Sequence, residues 1–410
     1  MAIPFIIIGG GAAGLMAAAA AAESGISGLL LERRHRLGLK LLMCGNNRCN
    51  ISHDFSAPQM LNAYGAPVAG FLETAINAFP PSQLRRWFQN LNLKTVVKHD
   101  RRIYPASENA DDVLHVFTDF LRDRKFPFAL NCPVADIRFA DGVFQIETEN
   151  GLKFEAQNVL VATGGVSYPK TGSVGDGLKF ASKLGIATTP LRAGLVAVET
   201  NLPWLAKMKD TDIPDVAITI QDAQGAVVSR IRGNLLCNPD VLRGSAIFDA
   251  TRICARKNLS GFSLTLDLLP GGGSLNDRMP REVALALKGV REIHSIKIPV
   301  LSVRPLKEAI VTVGGVSLNE IYSKTMECKS FPGLYFAGET LDIDGPTGGF
   351  NLHAAFATAR LAVAAVAEKL GRKSSRSNSD FKERKQHFGR DFAKGRKFGN
   401  PQRNIRQRWD

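Results

Sequence analysis

Ile6, Ile7 and Ile8 run directly into three glycines, and Gly9, Gly11 and Gly14 stand in the spacing G-x-G-x-x-G. Three consecutive isoleucines read as a strand buried on both faces, and residues 12–22 continue, mostly in alanine, as a helix. Strand, glycine turn and helix in that order constrain the chain to a parallel βαβ unit. Each glycine has its own steric duty. The first allows the tight turn, the second lets backbone approach a pyrophosphate, and the third lets the helix lie close to the strand. The first helical turn, with Ala12 and Ala13, then faces the phosphates at the positive end of the helix. Glu32 ends a second apolar strand, 28–31, and lies 18 residues beyond Gly14. A carboxylate there accepts both hydroxyls of a ribose, with Arg33 beside it. The spacing therefore predicts a dinucleotide-binding domain. A plain Gly/Ala packing helix leaves Glu32 unexplained.

The rest of the chain limits the alternatives. Its 410 residues allow two or three domains and a sizeable core. The apolar N-terminus has no basic flank, so it is not read as a signal peptide, and no stretch is read as spanning a bilayer. Cys44, Cys49, Cys132, Cys237, Cys254 and Cys328 form no C-x-x-C pair. No metal site is expected, and the thiols fit a reduced, cytoplasmic protein. Charge is uneven. Residues 372–410 hold 13 Lys and Arg against 4 Asp and Glu, a balance of +9 out of the total of +14.

Helices are expected at 80–92 and 111–124, and a hairpin at 142–156 with its turn at Asn150-Gly151. Residues 159–162 form a further buried strand, ending in Thr163, Gly164 and Gly165. Between about 190 and 305 the texture changes to short strands, expected at 195–199, 216–220, 226–231, 245–250 and 263–268, with a helix at 281–290. A final helix is expected at 352–370. The domain reading is a first part at 1–190, a β-rich insert at 191–305, a closing part at 306–370 and a basic tail at 371–410.

Three blocks carry a resemblance. The first is the glycine turn. The second is Lys40-Leu41-Leu42-Met43-Cys44-Gly45-Asn46-Asn47-Arg48-Cys49-Asn50, similar to a pattern K-x-L-x-S-G-x-G-R-C-N with Cys44 in place of serine and Asn47 in place of glycine. The third runs from Glu308 through Gly314-Gly315-Val316, Gly338-Glu339, Asp342 and Gly348-Gly349-Phe350-Asn351-Leu352. Together they resemble the HI0933-like flavoproteins, also labelled the BaiN/RdsA family of FAD-dependent oxidoreductases. The resemblance implies an α/β fold. Its frame is a Rossmann-like FAD-binding domain of the two-dinucleotide-binding-domain flavoprotein type, with an inserted β-rich, barrel-like domain. The stretch Leu235–Ala246, altered at Cys237–Ser245, departs from the family's L-F-T-H-x-G-x-S-G-P-A pattern, which bears on the substrate side.

The resemblance also implies FAD at the glycine turn. Lys40, Gly45, Arg48, Cys49 and Asn50 are expected along the cofactor, Val134 at the adenine, and Thr163-Gly164-Gly165 near the pyrophosphate. Gly338, Glu339 and Asp342 are expected at the ribityl and pyrophosphate region. Gly348, Gly349, Asn351 and Leu352 open the last helix, whose N–H groups stabilise charge on reduced flavin. No second glycine motif follows a strand, so NAD(P)H is expected only as a transient reductant. Cys49, beside the charge of Arg48, and His353 are the catalytic candidates. Tyr104 and the pair Arg101-Arg102 lie in a loop suited to an acidic group, and Asp176 opens a helix.

In the tail, Phe381, Phe388, Phe392, Phe398 and Trp409 alternate with lysines and arginines, a composition suited to RNA. Family members are linked to uridine reduction in large-subunit ribosomal RNA (rRNA) and to reduction of steroid-like bile acid intermediates. The leading expectation is reduction of uridine to dihydrouridine in rRNA, with hydride to C6, a proton to C5 and the base out of its stack. The alternatives are a reductase of small conjugated carbonyl compounds and an RNA-binding factor with structural FAD.

Overall fold

The computed structural model describes residues 2–275, 279, 281–288, 290 and 292–372. Most of the basic tail, and the RNA expectation resting on it, lies outside them. The isoleucine run forms β1 (Phe5–Ile8), the middle strand of a five-stranded parallel sheet. β2 (Gly28–Leu31) and β3 (Phe128–Ala129) lie on one side of it. β4 (Val159–Val161) and β5 (Leu334–Phe336) lie on the other. Ile6 pairs with Leu29 and with Val159, and Val161 with Phe336. Every residue of β1, β2, β4 and β5 is buried, as a sheet covered on both faces requires.

α1 (Ala12–Glu23) buries Ala13 to Ala21 without a break. Its alanines let the last helix, Phe350–Lys369, pack against it closely, and that helix is also alanine-rich and mostly buried. Contrary to the sequence expectation, Phe350–Lys369 is long and apolar enough to cross a bilayer, but 72% of that apolar window is buried inside the protein. A second layer of helices lies beyond it. Pro81–Asn90 and Ala110–Asp123 form near the expected positions, the latter capped by the Asn109 side chain, which accepts from the Asp111 N–H at 3.0 Å. Trp87, Phe88, Phe117 and Phe356 join this layer to the last helix through ring contacts of 5.0–6.3 Å. The expected hairpin is a three-stranded antiparallel sheet, Val134–Ala140, Val143–Thr148 and Lys153–Ala156.

The insert has a core of its own. Ile213, Val216, Ile218, Ile220, Leu264 and Leu266 are fully or almost fully buried in it, separate from the cluster around the parallel sheet. Each such side chain contributes about 1.5–3 kcal/mol. Seven antiparallel strands carry this core, with Thr211–Asp222 and Val227–Asn238 as the long central pair. The two end strands of the sheet, Ile296–Ile298 and Ser302–Val303, are consecutive in the chain. The connection from Ile298 to Ser302 spans at most about 14 Å, so the sheet must curl until its edges approach, the geometry of a barrel.

One expected strand is a helix. Residues 245–250 open α2 (Ser245–Arg256), which buries Ala246, Ile247, Ala250, Thr251 and Cys254. The period is helical, and a six-residue window was too short to show it. The expected helix at 281–290 is described as Arg281–Ala286. The chain enters and leaves the insert through one two-stranded ribbon, where Arg192–Gly194 pairs antiparallel with Val311–Val313.

Candidate functional site

The glycine turn follows from close approach. A Cβ on Gly14 would lie 1.7 Å from the Gly9 carbonyl oxygen, so only glycine lets α1 start against β1. Gly9 has φ +103°, and a Cβ there would strike the Ala162 carbonyl at 2.5 Å. Gly11 differs: no atom lies within 4 Å of where its Cβ would sit. It is also the N-cap of α1, with no side-chain cap and no acidic residue in the first turn. The N–H groups of Ala12, Ala13 and Gly14 thus open on clear space, which is what an anion needs. Glu32 is buried with one oxygen on the Gly10 N–H and the other on the Arg34 N–H, each at 2.7 Å. Burial raises its proton affinity and these two bonds oppose that. Glu32 therefore fixes the turn itself, a role beyond the expected ribose contact. Arg33 is paired at 3.0 Å with both Glu149 and Asp176, the latter in the first turn of helix Asp176–Lys183. The Cys132 N–H donates to the Glu32 carbonyl at 2.9 Å, which lays the approach to Val134 along the end of β2.

Thr163, Gly164 and Gly165 follow β4, with Thr163 directly against Gly9. Thr163 Oγ1 accepts from the Gly177 N–H and Thr340 Oγ1 from the Gly164 N–H, both at 3.0 Å. A Cβ on Gly165 would lie 2.3 Å from Thr312 Oγ1. Gly338, at the end of β5, sits so close to α1 that its Cβ would be 3.0 Å from that of Ala13. Beside it Glu339 joins three further segments. It takes Lys40 Nζ at 2.5 Å, the Ser167 hydroxyl at 3.0 Å and the Thr312 N–H at 2.7 Å. The structure thus brings Lys40, the 163–167 turn and Glu339 to the carboxyl ends of β1, β4 and β5, where parallel sheets bind their ligands.

The far end of this line is the N-terminus of Phe350–Lys369. Gly348 and Gly349 have φ +114° and +87°, and a Cβ on Gly349 would lie 2.7 Å from Ser52 backbone. The Asn351 side chain bonds both backbone groups of Gly345, accepting at 2.8 Å and donating at 2.9 Å, and so closes the turn ahead of the helix. Leu352 is partly buried against the core. Asn50 is buried and donates to the carbonyls of Ser52 and Ile103, holding the segment that faces Gly349.

The two catalytic candidates change character. His353 is sealed in the interior, with Nδ1 2.9 Å from Ser52 Oγ and Nε2 3.0 Å from the Phe79 carbonyl. Burial lowers its pKa to about 4. Both nitrogens are engaged, so the ring braces the helix and has no path to a substrate. Cys49 is also fully buried, and its thiol is pushed well above the usual range by a hydrogen bond with Cys44 and then by burial. Arg48 does not counter this. Its Nε donates to the Gly45 carbonyl at 3.2 Å and its guanidinium lies 5.5 Å over the Tyr104 ring.

Sequence reasoning missed His53 and the groups at the contact with the insert. His53 pairs in register with Arg102, stacks on Phe350 at 5.1 Å and has Nδ1 3.2 Å from the Gly348 carbonyl. Burial lowers its pKa. Asp249 on α2 accepts the Thr347 N–H at 2.7 Å and its hydroxyl at 3.0 Å, and burial raises its pKa. Arg252 meets the fully buried Asp344 at 3.0 Å. Arg256 meets Asp342 at 2.6 Å and also pairs with Asp344. Asp342, expected at the cofactor, is thus engaged by the insert. Asp249, Arg252 and Arg256 stand at i, i+3 and i+7, a visible signal once 245–256 is read as a helix. Arg101 caps the Asp54 carbonyl and lies 5.0 Å over Phe55.

Known proteins share this architecture. The model of the HI0933-like protein Rossmann domain matches residues 3–365. A ribosomal RNA dihydrouridine synthase of Escherichia coli is 26% identical over 397 residues, covering 86% of this chain and 95% of that one. A 3-dehydro-bile acid delta(4,6)-reductase of Clostridium scindens is 27% identical over 385 residues, covering 83% and 92%. A 3-ketosteroid-delta4-(5alpha)-dehydrogenase structure from Rhodococcus jostii superposes with a TM-score of 0.52 at 13% identity, over 88% of this chain and 96% of that one, a likeness of fold. The glycine turn, the Lys40–Asn50 block and the closing helix are therefore those of a known lineage: the chain belongs to the HI0933-like family of FAD-dependent oxidoreductases.

Proposed function

We propose that FAD lies along the line of turns from Gly9 to Gly349, and that the loaded protein reduces uridine to dihydrouridine in large-subunit rRNA, with NAD(P)H as transient reductant. The match along 95% of the E. coli rRNA dihydrouridine synthase carries the substrate reading. The basic, aromatic sequence beyond residue 371 agrees with it, since lysine and arginine neutralise phosphates and aromatic rings stack on unpaired bases.

The residues present fit the cofactor. The clear space before Gly11 and the uncapped N-terminus of α1 suit a pyrophosphate. Each Glu32 oxygen keeps acceptor capacity for a ribose hydroxyl. Lys40 sits on Glu339, and Gly349 opens the last helix without a side-chain cap, so its free N–H groups would hold the negative charge of a reduced flavin bound there. Bound there, FAD supplies the hydride for C6 of the uracil ring. His53 is the histidine suited to the C5 proton, because it is partly exposed where His353 is sealed. Neutral at pH 7, it must first take that proton from solvent. Arg102 lies opposite His53 in register and Arg101 caps the neighbouring Asp54 carbonyl, and both suit a phosphate of the strand.

A second reading, reduction of small conjugated carbonyl compounds, is favoured by the bile acid reductase match. Protein-free large-subunit RNA, incubated anaerobically with the protein, FAD and NADPH, separates the two. Formation of dihydrouridine supports the first. Flavin that NADPH reduces, but that leaves the RNA unchanged while reducing a conjugated ketone, supports the second. Flavin that no donor reduces would point to a structural cofactor.

A further inference from the structure

Cys44 and Cys49 stand five positions apart in the chain but side by side in the fold. Asn46, Asn47 and Cys49 all take left-handed φ angles, 55°, 65° and 57°, as does Gly45 at 59°. This tight turn carries Cys49 back until its N–H donates to the Cys44 carbonyl at 2.9 Å. Each thiol shifts the other's proton affinity, and Cys44 Sγ lies 3.8 Å from the Asn50 carbonyl. Backbones joined in this way bring the two side chains together, and a disulfide needs Cα atoms roughly 4.4–6.8 Å apart.

We propose that Cys44 and Cys49 form a redox-active dithiol site that exchanges with small disulfides, Cys44 attacking and Cys49 resolving. Cys44 is partly exposed, whereas the other five cysteines are buried. Its thiolate is favoured by the hydrogen bond from Cys49, against burial, with help from the Asn50 backbone and the Lys40 charge. No other cysteine shifts in this direction: burial raises Cys132 and Cys328 and pushes Cys237 and Cys254 up to about 12. The Cys44 thiolate attacks one sulfur of a disulfide RSSR, forming Cys44–S–SR and releasing RS⁻. Cys49, deprotonated as it attacks, displaces the second RS⁻ from Cys44 and closes the Cys44–Cys49 bond. The two thiols are oxidised, RSSR is reduced to two RSH, and the two protons come from the cysteines.

The exchange needs neither flavin nor RNA, so it stands or falls separately from the proposed function. The test treats the full chain with oxidised glutathione, blocks remaining thiols with iodoacetamide and maps the peptides by mass spectrometry. The expected product is one Cys44–Cys49 disulfide, lighter by two hydrogens, with four cysteines alkylated. Cys49→Ser traps glutathione on Cys44, and Cys44→Ser leaves Cys49 unmodified. Should a variant fail to fold, the native chain still decides, because Cys44 must alkylate about tenfold faster than any other cysteine at pH 7. Oxidation at other cysteines first, no disulfide, or a Cys44 no faster than the rest overturns the proposal.

Discussion

The dinucleotide half and the insert are held to their tasks by different physics. Around the parallel sheet, backbone touches backbone: Gly9 on Ala162, Gly14 on Gly9, Gly349 on Ser52. At the insert, charged side chains reach across: Arg252 and Arg256 to Asp344 and Asp342, and Asp249 to Thr347. The first kind of contact tolerates almost no substitution and leaves a fixed glycine pattern. The second can be rebuilt from other residues.

The comparison can be broken by experiment. The largest effect is expected at the charged clasp. Asp344 is fully buried, and Asp344→Ala takes from Arg252 its carboxylate partner and leaves Arg256 with Asp342 alone, so urea unfolding should show a loss of about 3–5 kcal/mol. A loss below about 1 kcal/mol would mean that the clasp is solvated and the contrast is wrong.

Next is pH. The native chain holds His353 near a pKa of about 4 against 6.5 for a free histidine. The unfolded chain therefore takes up this proton first. Stability is constant above about pH 6.5 and falls as pH drops towards 4, by up to about 3 kcal/mol. Thermal melts across that range should show the slope, and His353→Leu should flatten it.

Gly14→Ala comes third, at about 1–3 kcal/mol from overpacking, but with a separate signature. The variant should purify with little or no bound flavin, whereas Asp344→Ala, where it folds, should keep it. Equal flavin content in both would erase the division of labour.

The smallest effect on the folded body is expected from truncation after Leu370. Its melting temperature should not change, while rRNA binding weakens and loses part of its salt dependence. Unchanged RNA binding would remove the tail from the account.

What the sequence made legible follows the same division. The glycine turn was readable because its steric demands are local and only one residue type meets them. The partners of Glu339 were not, since Lys40, Ser167 and Thr312 come from three distant segments. Residues 245–250 alternate enough to pass for a strand, and only the longer run to Arg256 shows the helical stripe. His353 sat correctly in the last helix, but its burial depends on Phe79 and Ser52, which nothing in its own neighbourhood announces. The meeting of Cys44 and Cys49 turns on left-handed angles at Asn46 and Asn47, a conformation that asparagine permits but does not signal.

The most direct test of the central claim is nucleoside mass spectrometry of large-subunit rRNA from cells with and without the gene. A specific dihydrouridine should vanish on deletion, return with the intact gene and stay absent with Gly14→Ala. An identical dihydrouridine content with and without the gene would contradict the assignment of rRNA as the substrate.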